Sequence, residues 1–160
     1  MQAGDAARLG GGESSMSQVF CTRLRVRLDD VDAAQILYFP RQVHFFVVAL
    51  EDFFRESLKL DWPTMLEREN ISMPTVDLKV TYKTPLRFGE EFDIAIRVKR
   101  IGRTSTTFAF EMARTKDNTS TTRAEQTVVF IDAESFKPIP VPDHYRRAFE
   151  PYLVDVAVDT

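Results

Sequence analysis

From Phe20 the chain alternates in polarity, with Phe20, Thr22, Leu24, Val26 and Leu28 on one side and Cys21, Arg23, Arg25 and Arg27 on the other. A period of two with one wet face is a strand laid over a core. An acid-rich turn follows, then Pro40, which suits the first position of a helix because its missing NH would be unpaired there anyway. From about 40 to 58 the apolar positions Val43, Phe46, Val47, Leu50, Phe53, Phe54 and Leu58 keep helical spacing, and between 45 and 50 the segment is apolar almost all round. A helix greasy on every face is expected to be buried. "LDWPTMLERENI" then reads as a connection and a short helix, with Asp61 or Thr64 as its cap.

After Met73 the period changes to two and stays there. Val76, Leu78, Val80 and Tyr82 alternate with polar residues, and "TPLRFGE" turns the chain around Pro85 and Gly89. Phe92, Ile94, Ile96 and Val98 form the next run; after "KRIGRTS" come Thr106, Phe108, Phe110 and Met112; after "KDNTST" come Ala124, Gln126, Val128 and Phe130. Such close spacing predicts an antiparallel meander of four strands. The order is strand, long buried helix, four strands. About five strands can cover such a helix only by curling around it, and the remaining helix surface or sheet edge calls for a second copy. The expected class is α+β, in a chain that dimerises.

Composition narrows the function. At 160 residues and 44% apolar content, the chain supports one core. The expected division is a disordered lead over 1–17, a single domain over 18–150 and a tail over 151–160, with Met16 as a second candidate start. The net charge of −3 comes from nearly balanced acids and bases, with no basic block of the kind that neutralises a phosphate backbone, so nucleic acid is not an expected partner. Cys21 is the single cysteine, and the two histidines, His44 and His144, lie a hundred residues apart; neither a disulfide nor a metal site is expected. The longest apolar run, "HFFVVAL", is far short of the roughly 20 residues that span a bilayer. Without a hydrophobic signal core near the N-terminus, a cytoplasmic location with no membrane insertion is expected.

The stretch "RLDDVDAAQILYFPRQVHFF" places Asp29, Asp30 and Asp32 ahead of the helix. It resembles the signature of the 4-hydroxybenzoyl-CoA thioesterase family: an acid-x-acid pair, small residues, an aromatic-rich turn and the central helix. "MPTVDLKVTYKTPLRFGEEFDIAIRVKRIGRTSTTFAFEM" resembles that family's following strands and "FIDAESFKPIPVP" its last hairpin and exit, so the likeness covers about 19–148. The resemblance implies the hotdog fold, a curved antiparallel sheet wrapped around a long helix, and an acyl-CoA thioesterase with its site between two subunits of a homodimer or homotetramer. It implies no cofactor, coenzyme A being part of the substrate. The second acid of the pair, Asp32, would act as nucleophile or general base on the thioester carbonyl. The backbone NH of Phe39, next to Tyr38, would stabilise the oxyanion. The "RIGRTS" turn would bring Arg103, Thr104 and Ser105 to the coenzyme A phosphates, with Arg100 nearby.

These roles make physical sense. A helix N-terminus has unpaired NH groups and a partial positive charge, so it can stabilise both a carboxylate and an oxyanion. A thiolate leaves with little help, so one carboxylate and a good oxyanion site suffice. The chain also departs from the family: Gln35 stands where many members have glycine, Phe39 where some have histidine, and Val47 where many have an acid. The expected acyl pocket is therefore apolar, lined by Val47, for an aromatic or aliphatic group. His44, one turn into the helix, is a further candidate for the site. Acids ahead of a helix also serve simply as caps, and Asp29 and Asp30 are expected to be structural. Two other readings stand beside hydrolysis: a non-enzymatic acyl-CoA or acyl-carrier binding protein, and a hotdog dehydratase, whose histidine this chain does not show.

Overall fold

The computed structural model describes residues 17–154; most of the expected lead, and the tail beyond 154, lie outside the described residues. Strand β1 (Phe20–Arg25) is followed by a short 3₁₀ turn over Leu28–Asp30 and the central helix α1 (Phe39–Asp52), which continues as a wider π-helical stretch over Phe53–Leu58. Leu28 was expected on the inner face of the strand; instead it starts the 3₁₀ turn and is 74% exposed. Strands β2 (Ile71–Ser72), β3 (Thr75–Tyr82), β4 (Glu91–Ile101), β5 (Ser105–Arg114), β6 (Ser120–Val129) and β7 (Ile131–Asp132) follow, then helix α2 (Asp143–Phe149) and a 3₁₀ turn over Glu150–Tyr152. The expected cap at Asp61 is present: its carboxylate accepts from the Thr64 NH at 2.7 Å and from the Thr64 hydroxyl at 2.9 Å.

The main sheet has the order β1-β4-β5-β6-β3 and every pairing in it is antiparallel; β2 and β7 pair separately. Strands β4, β5 and β6 form the expected meander, but β3 does not join it as the neighbour of β4. The "TPLRFGE" segment is a connection across the end of the sheet, held where the Leu37 NH donates to the Leu86 carbonyl at 2.7 Å. One consequence is that β3 becomes an edge strand, with Val76, Leu78 and Tyr82 all exposed.

The inner face of the sheet supplies Phe92, Ile94, Ile96, Val98, Phe108, Phe110 and Met112, all buried against Phe46, Ala49, Leu50, Phe53 and Phe54 of the helical segment. Phe46 meets Phe110 with ring centroids 5.0 Å apart, and Phe54 stacks on Trp62 at 4.9 Å. Each such aromatic contributes roughly 2–3 kcal/mol through burial, so this interface dominates the fold's stability. The helix is not covered all round, however. His44, Val47 and Glu51 form an uncovered stripe, with Val47 at 51% exposure. No helix among the described residues is long and apolar enough to cross a membrane.

Candidate active site

The acid-rich segment runs between the end of β1 and the start of α1 along the 86–90 connection. The Val26 NH donates to the Glu90 carbonyl at 2.9 Å, and the Gly89 NH donates to the Val26 carbonyl at 3.0 Å. Asp30 is 5% exposed and fully engaged: its carboxylate accepts from the Arg27 NH at 2.8 Å and pairs with the Arg41 Nε at 3.2 Å, while its carbonyl accepts from the Tyr38 NH at 2.9 Å. It pins the 3₁₀ turn to the first turn of the helix. Asp29 is exposed and meets the same arginine at 3.9 Å, a longer and weaker pairing.

Asp32 is used differently. Residues 31–37 fold into a small hairpin bridged between Val31 and Leu37. In it the Asp32 carbonyl accepts from the Gln35 NH at 2.9 Å, and the Asp32 NH donates to the Ile36 carbonyl at 3.0 Å. One carboxylate oxygen accepts from the Ala34 NH at 2.8 Å, which holds the side chain in a local turn. Among the described residues no cation lies within ion-pair distance of this carboxylate, and its second oxygen has no partner. Gln35 closes the hairpin at φ +62°, a left-handed conformation that suits glycine. Glutamine thus takes the conformation that glycine would take more easily, and the turn keeps its shape.

Tyr38 is the helix N-cap without any side-chain capping bond, and Phe39 and Pro40 open the helix. The Phe39 NH is one of the initial NH groups that no helical carbonyl can satisfy, and it sits at the positive end of the helix dipole. The Tyr82 hydroxyl, arriving from β3, donates to the Phe39 carbonyl at 3.3 Å, and burial pushes the phenol's pKa up, so it stays a donor. The rings of Tyr38, Phe39 and Tyr82 form an exposed aromatic group, with centroids 5.5 and 6.2 Å apart along the row. One turn further on, Gln42 is buried and its side-chain oxygen accepts from the Thr122 hydroxyl of β6. A half-free carboxylate in the hairpin that leads into open helix-initial NH groups supplies the groups needed to deliver a base or nucleophile to a carbonyl and to stabilise the oxyanion that forms.

The remaining expected residues lie elsewhere. Arg103 and Thr104 sit in the turn after β4 and Ser105 opens β5, whereas the Asp32 segment runs beside the start of β4; the eleven residues of β4 put ten steps between the two ends. At about 3.3 Å per residue this is roughly 33 Å. One chain therefore does not bring the two groups together. The turn is well held: the Gly102 NH donates to the Ser105 carbonyl at 2.7 Å, the Val141 NH to the Arg103 carbonyl at 2.8 Å, and Arg146 to the Gly102 carbonyl at 2.7 Å. Arg100 and Arg103 are exposed, with no acid within ion-pair distance among the described residues. His44 and Val47 lie on the uncovered stripe of α1, and His144 pairs with Glu69 at 3.0 Å on the surface.

Sequence reasoning did not single out Tyr82, Gln42 or Thr122. The signal available was Gln42, a polar residue one turn before Phe46 on the side of the helix that carries Phe46 and Ala49. Tyr82 carries no such signal, because only the sheet order brings it to the helix start.

Comparison with known proteins places this geometry. A family model described as the thioesterase-like superfamily matches residues 26–149. The chain is 24% identical over 130 residues to the acyl-CoA thioesterase YbgC of Haemophilus influenzae, covering 81% of this chain and 93% of that protein. Among solved structures, it superposes on a thioesterase superfamily protein from Jannaschia with a TM-score of 0.78 at 25% identity, covering 92% and 99% of the two chains. A 1,4-dihydroxy-2-naphthoyl-CoA thioesterase from Synechocystis gives a TM-score of 0.77 at 19% identity, covering 82% and 96%.

Proposed function

The chain belongs to the thioesterase-like superfamily and has its hotdog fold, and we propose that it hydrolyses an acyl-CoA thioester to the free acid and coenzyme A. The observation that carries the reading is the contrast within the acid pair: Asp30 is buried and ion-paired, while Asp32 keeps a free carboxylate oxygen in the hairpin that leads into the uncapped start of α1. Asp32 is the nucleophile or the general base for water, and the Phe39 NH is the oxyanion donor. In the first case the carboxylate attacks the thioester carbon, the thiolate leaves and water cleaves the resulting anhydride; in the second, Asp32 takes a proton from the attacking water. Tyr38 and Tyr82 flank the reacting carbonyl. The relatives named for acyl-CoA hydrolysis support this substrate class.

Arg103, Thr104 and Ser105, with Arg100, bind the coenzyme A phosphates from a second copy of the chain. The free edge of β3 suits this arrangement. Pairing it antiparallel with itself across a two-fold axis would set the Tyr82 end of one copy against the Thr75 end of the other. In each copy Thr75 is aligned with Val128, and Val128 with Thr106, so the arginine turn lies two strand spacings, about 10 Å, from that end of β3. A homodimer, or a tetramer built from it, would also cover the stripe of Val47 and His44, which then line the acyl side.

Thiol release from benzoyl, hydroxybenzoyl, naphthoyl and aliphatic CoA thioesters tests the reading. Release that disappears in Asp32→Asn is the expected result. Saturable acyl-CoA binding without any release would move the assignment to a binding protein.

A further inference from the structure

Gln42 is buried at 7% exposure on the core side of α1, one turn after Phe39 and one turn before Phe46. Its carboxamide reaches across the core to Thr122, 80 residues away. Thr122 is aligned with Tyr82 on β3 and with Met112 on β5, and the Tyr82 hydroxyl returns to the Phe39 carbonyl. Four residues thus form one connected patch directly behind the helix start, above the apolar floor of Phe46, Phe110 and Met112.

A carboxamide has two polar ends, and burying it is costly unless both are bonded. Here Thr122 holds one end; among the described residues the other end, the NH2, has no protein partner, and it is not enclosed but keeps accessible surface. A carboxamide turned end for end would hold Thr122 through its NH2 and leave its oxygen free instead. Packing alone would be served better by methionine or leucine at this position. Thr122 fixes the orientation of a polar group whose free half lies three residues along the helix from the oxyanion donor, a rise of about 4.5 Å.

We propose that Gln42 is the specificity-determining residue of the acyl pocket, its free carboxamide half bonding an oxygen carried on the acyl group close to the thioester. The inference rests on the thioesterase reading of the site and sharpens it: hydroxylated or keto acyl groups are chosen over the matching hydrocarbon ones. A hydroxyl, which donates and accepts, satisfies the carboxamide in either orientation. Thr122 is a positioning residue, acting through Gln42.

The test compares 2-hydroxybenzoyl-CoA with benzoyl-CoA, and 3-hydroxybutyryl-CoA with butyryl-CoA, by kcat/KM in the wild type, Gln42→Met and Thr122→Val. Wild type is expected to prefer the oxygenated member of at least one pair. Gln42→Met should lose about tenfold of that preference, the size of one neutral hydrogen bond, read as the ratio of kcat/KM between the two members of a pair. Thr122→Val, which leaves the carboxamide in place but unfastened, should lose about threefold. A preference unchanged in Gln42→Met, an equal loss on both members of a pair, or no preference in the wild type would overturn the proposal. Calorimetric binding of the non-hydrolysable thioether analogues of the same pairs separates it from the wider reading. If no thioester is hydrolysed but Gln42→Met still abolishes a binding preference, the hydrolase reading falls and the subsite stands; equal binding in wild type and variant would sink the subsite as well.

Discussion

The two ends of β4 carry different kinds of apparatus. Beside its start lie an acid with a free oxygen, an uncapped helix start and three exposed aromatic rings. Beyond its far end lies a turn that presents the exposed Arg103 and the half-buried Thr104 and Ser105, its backbone fastened to α2 and to the segment before it. In the proposed reading the first end acts on the thioester carbonyl and the second holds the coenzyme A phosphates. Neither suffices alone, and the roughly 33 Å between them is too long for one chain to close. In the proposed dimer, pairing the open edge of β3 with a second copy would join the two kinds of apparatus.

The largest effect expected is at the chemical end. Asp32→Asn should lower kcat by about 10³-fold, the scale of a lost general base or nucleophile, with the melting temperature nearly unchanged because the Asn side-chain oxygen still accepts from the Ala34 NH. Stopped turnover with retained far-UV dichroism and retained acyl-CoA binding is the signature. Asp30→Ala should do the reverse. It removes the acceptor for the Arg27 NH and the partner of Arg41 at a site 5% exposed. A loss of about 2–3 kcal/mol in urea unfolding is expected, with the activity of the folded fraction retained. If both variants lost activity and stability alike, the distinction between the two acids would fail.

Arg103→Ala should raise KM about tenfold, near 1.4 kcal/mol, and flatten its dependence on salt, while kcat holds. If the two ends are supplied by different copies, as proposed, mixing matters more than either variant alone. Co-expressed Asp32→Asn and Arg103→Ala chains form mixed dimers in which one site carries both lesions and the other carries neither. At substrate well below KM, the mixture should exceed the average of the two pure variants, approaching about a quarter of wild-type activity. Activity equal to that average would place both groups in one chain.

Much of this was legible before any fold was known. Period-two runs located the long strands, Pro40 announced the helix start to within one residue, and the Asp61 cap was readable from its position. The limits are physical. Strand order is not encoded locally, so β3 read as the next strand of a meander when it actually crosses to the far edge. The inward alternation of β1 ended before Leu28, because Asp30 accepting from the Arg27 NH favours a 3₁₀ turn there. An apolar helix segment predicted burial, yet Val47 is covered only if another molecule supplies the cover. Asp32 and the Arg103 turn could be picked out by their neighbours in sequence, but Gln42 and Tyr82 needed the core and the sheet order.

The smallest effect tests the turn itself. Gln35 holds φ +62°, where an L side chain costs roughly 1–2 kcal/mol and glycine costs almost nothing in the folded state. Glycine gives back about 0.5–1 kcal/mol through the greater freedom of its unfolded chain. Gln35→Gly should therefore stabilise the protein by about 0.5–1 kcal/mol, raising Tm by about 1–4 °C. The hairpin bonds from Asp32 to Gln35 and Ile36 do not involve the glutamine side chain, so kcat and KM should stay near wild type. Gln35→Ala separates conformation from chemistry: it removes the carboxamide but keeps the strain, and should show no such gain. Stabilisation by alanine as large as that by glycine would mean that the side chain, and not the left-handed backbone, is what the turn tolerates badly.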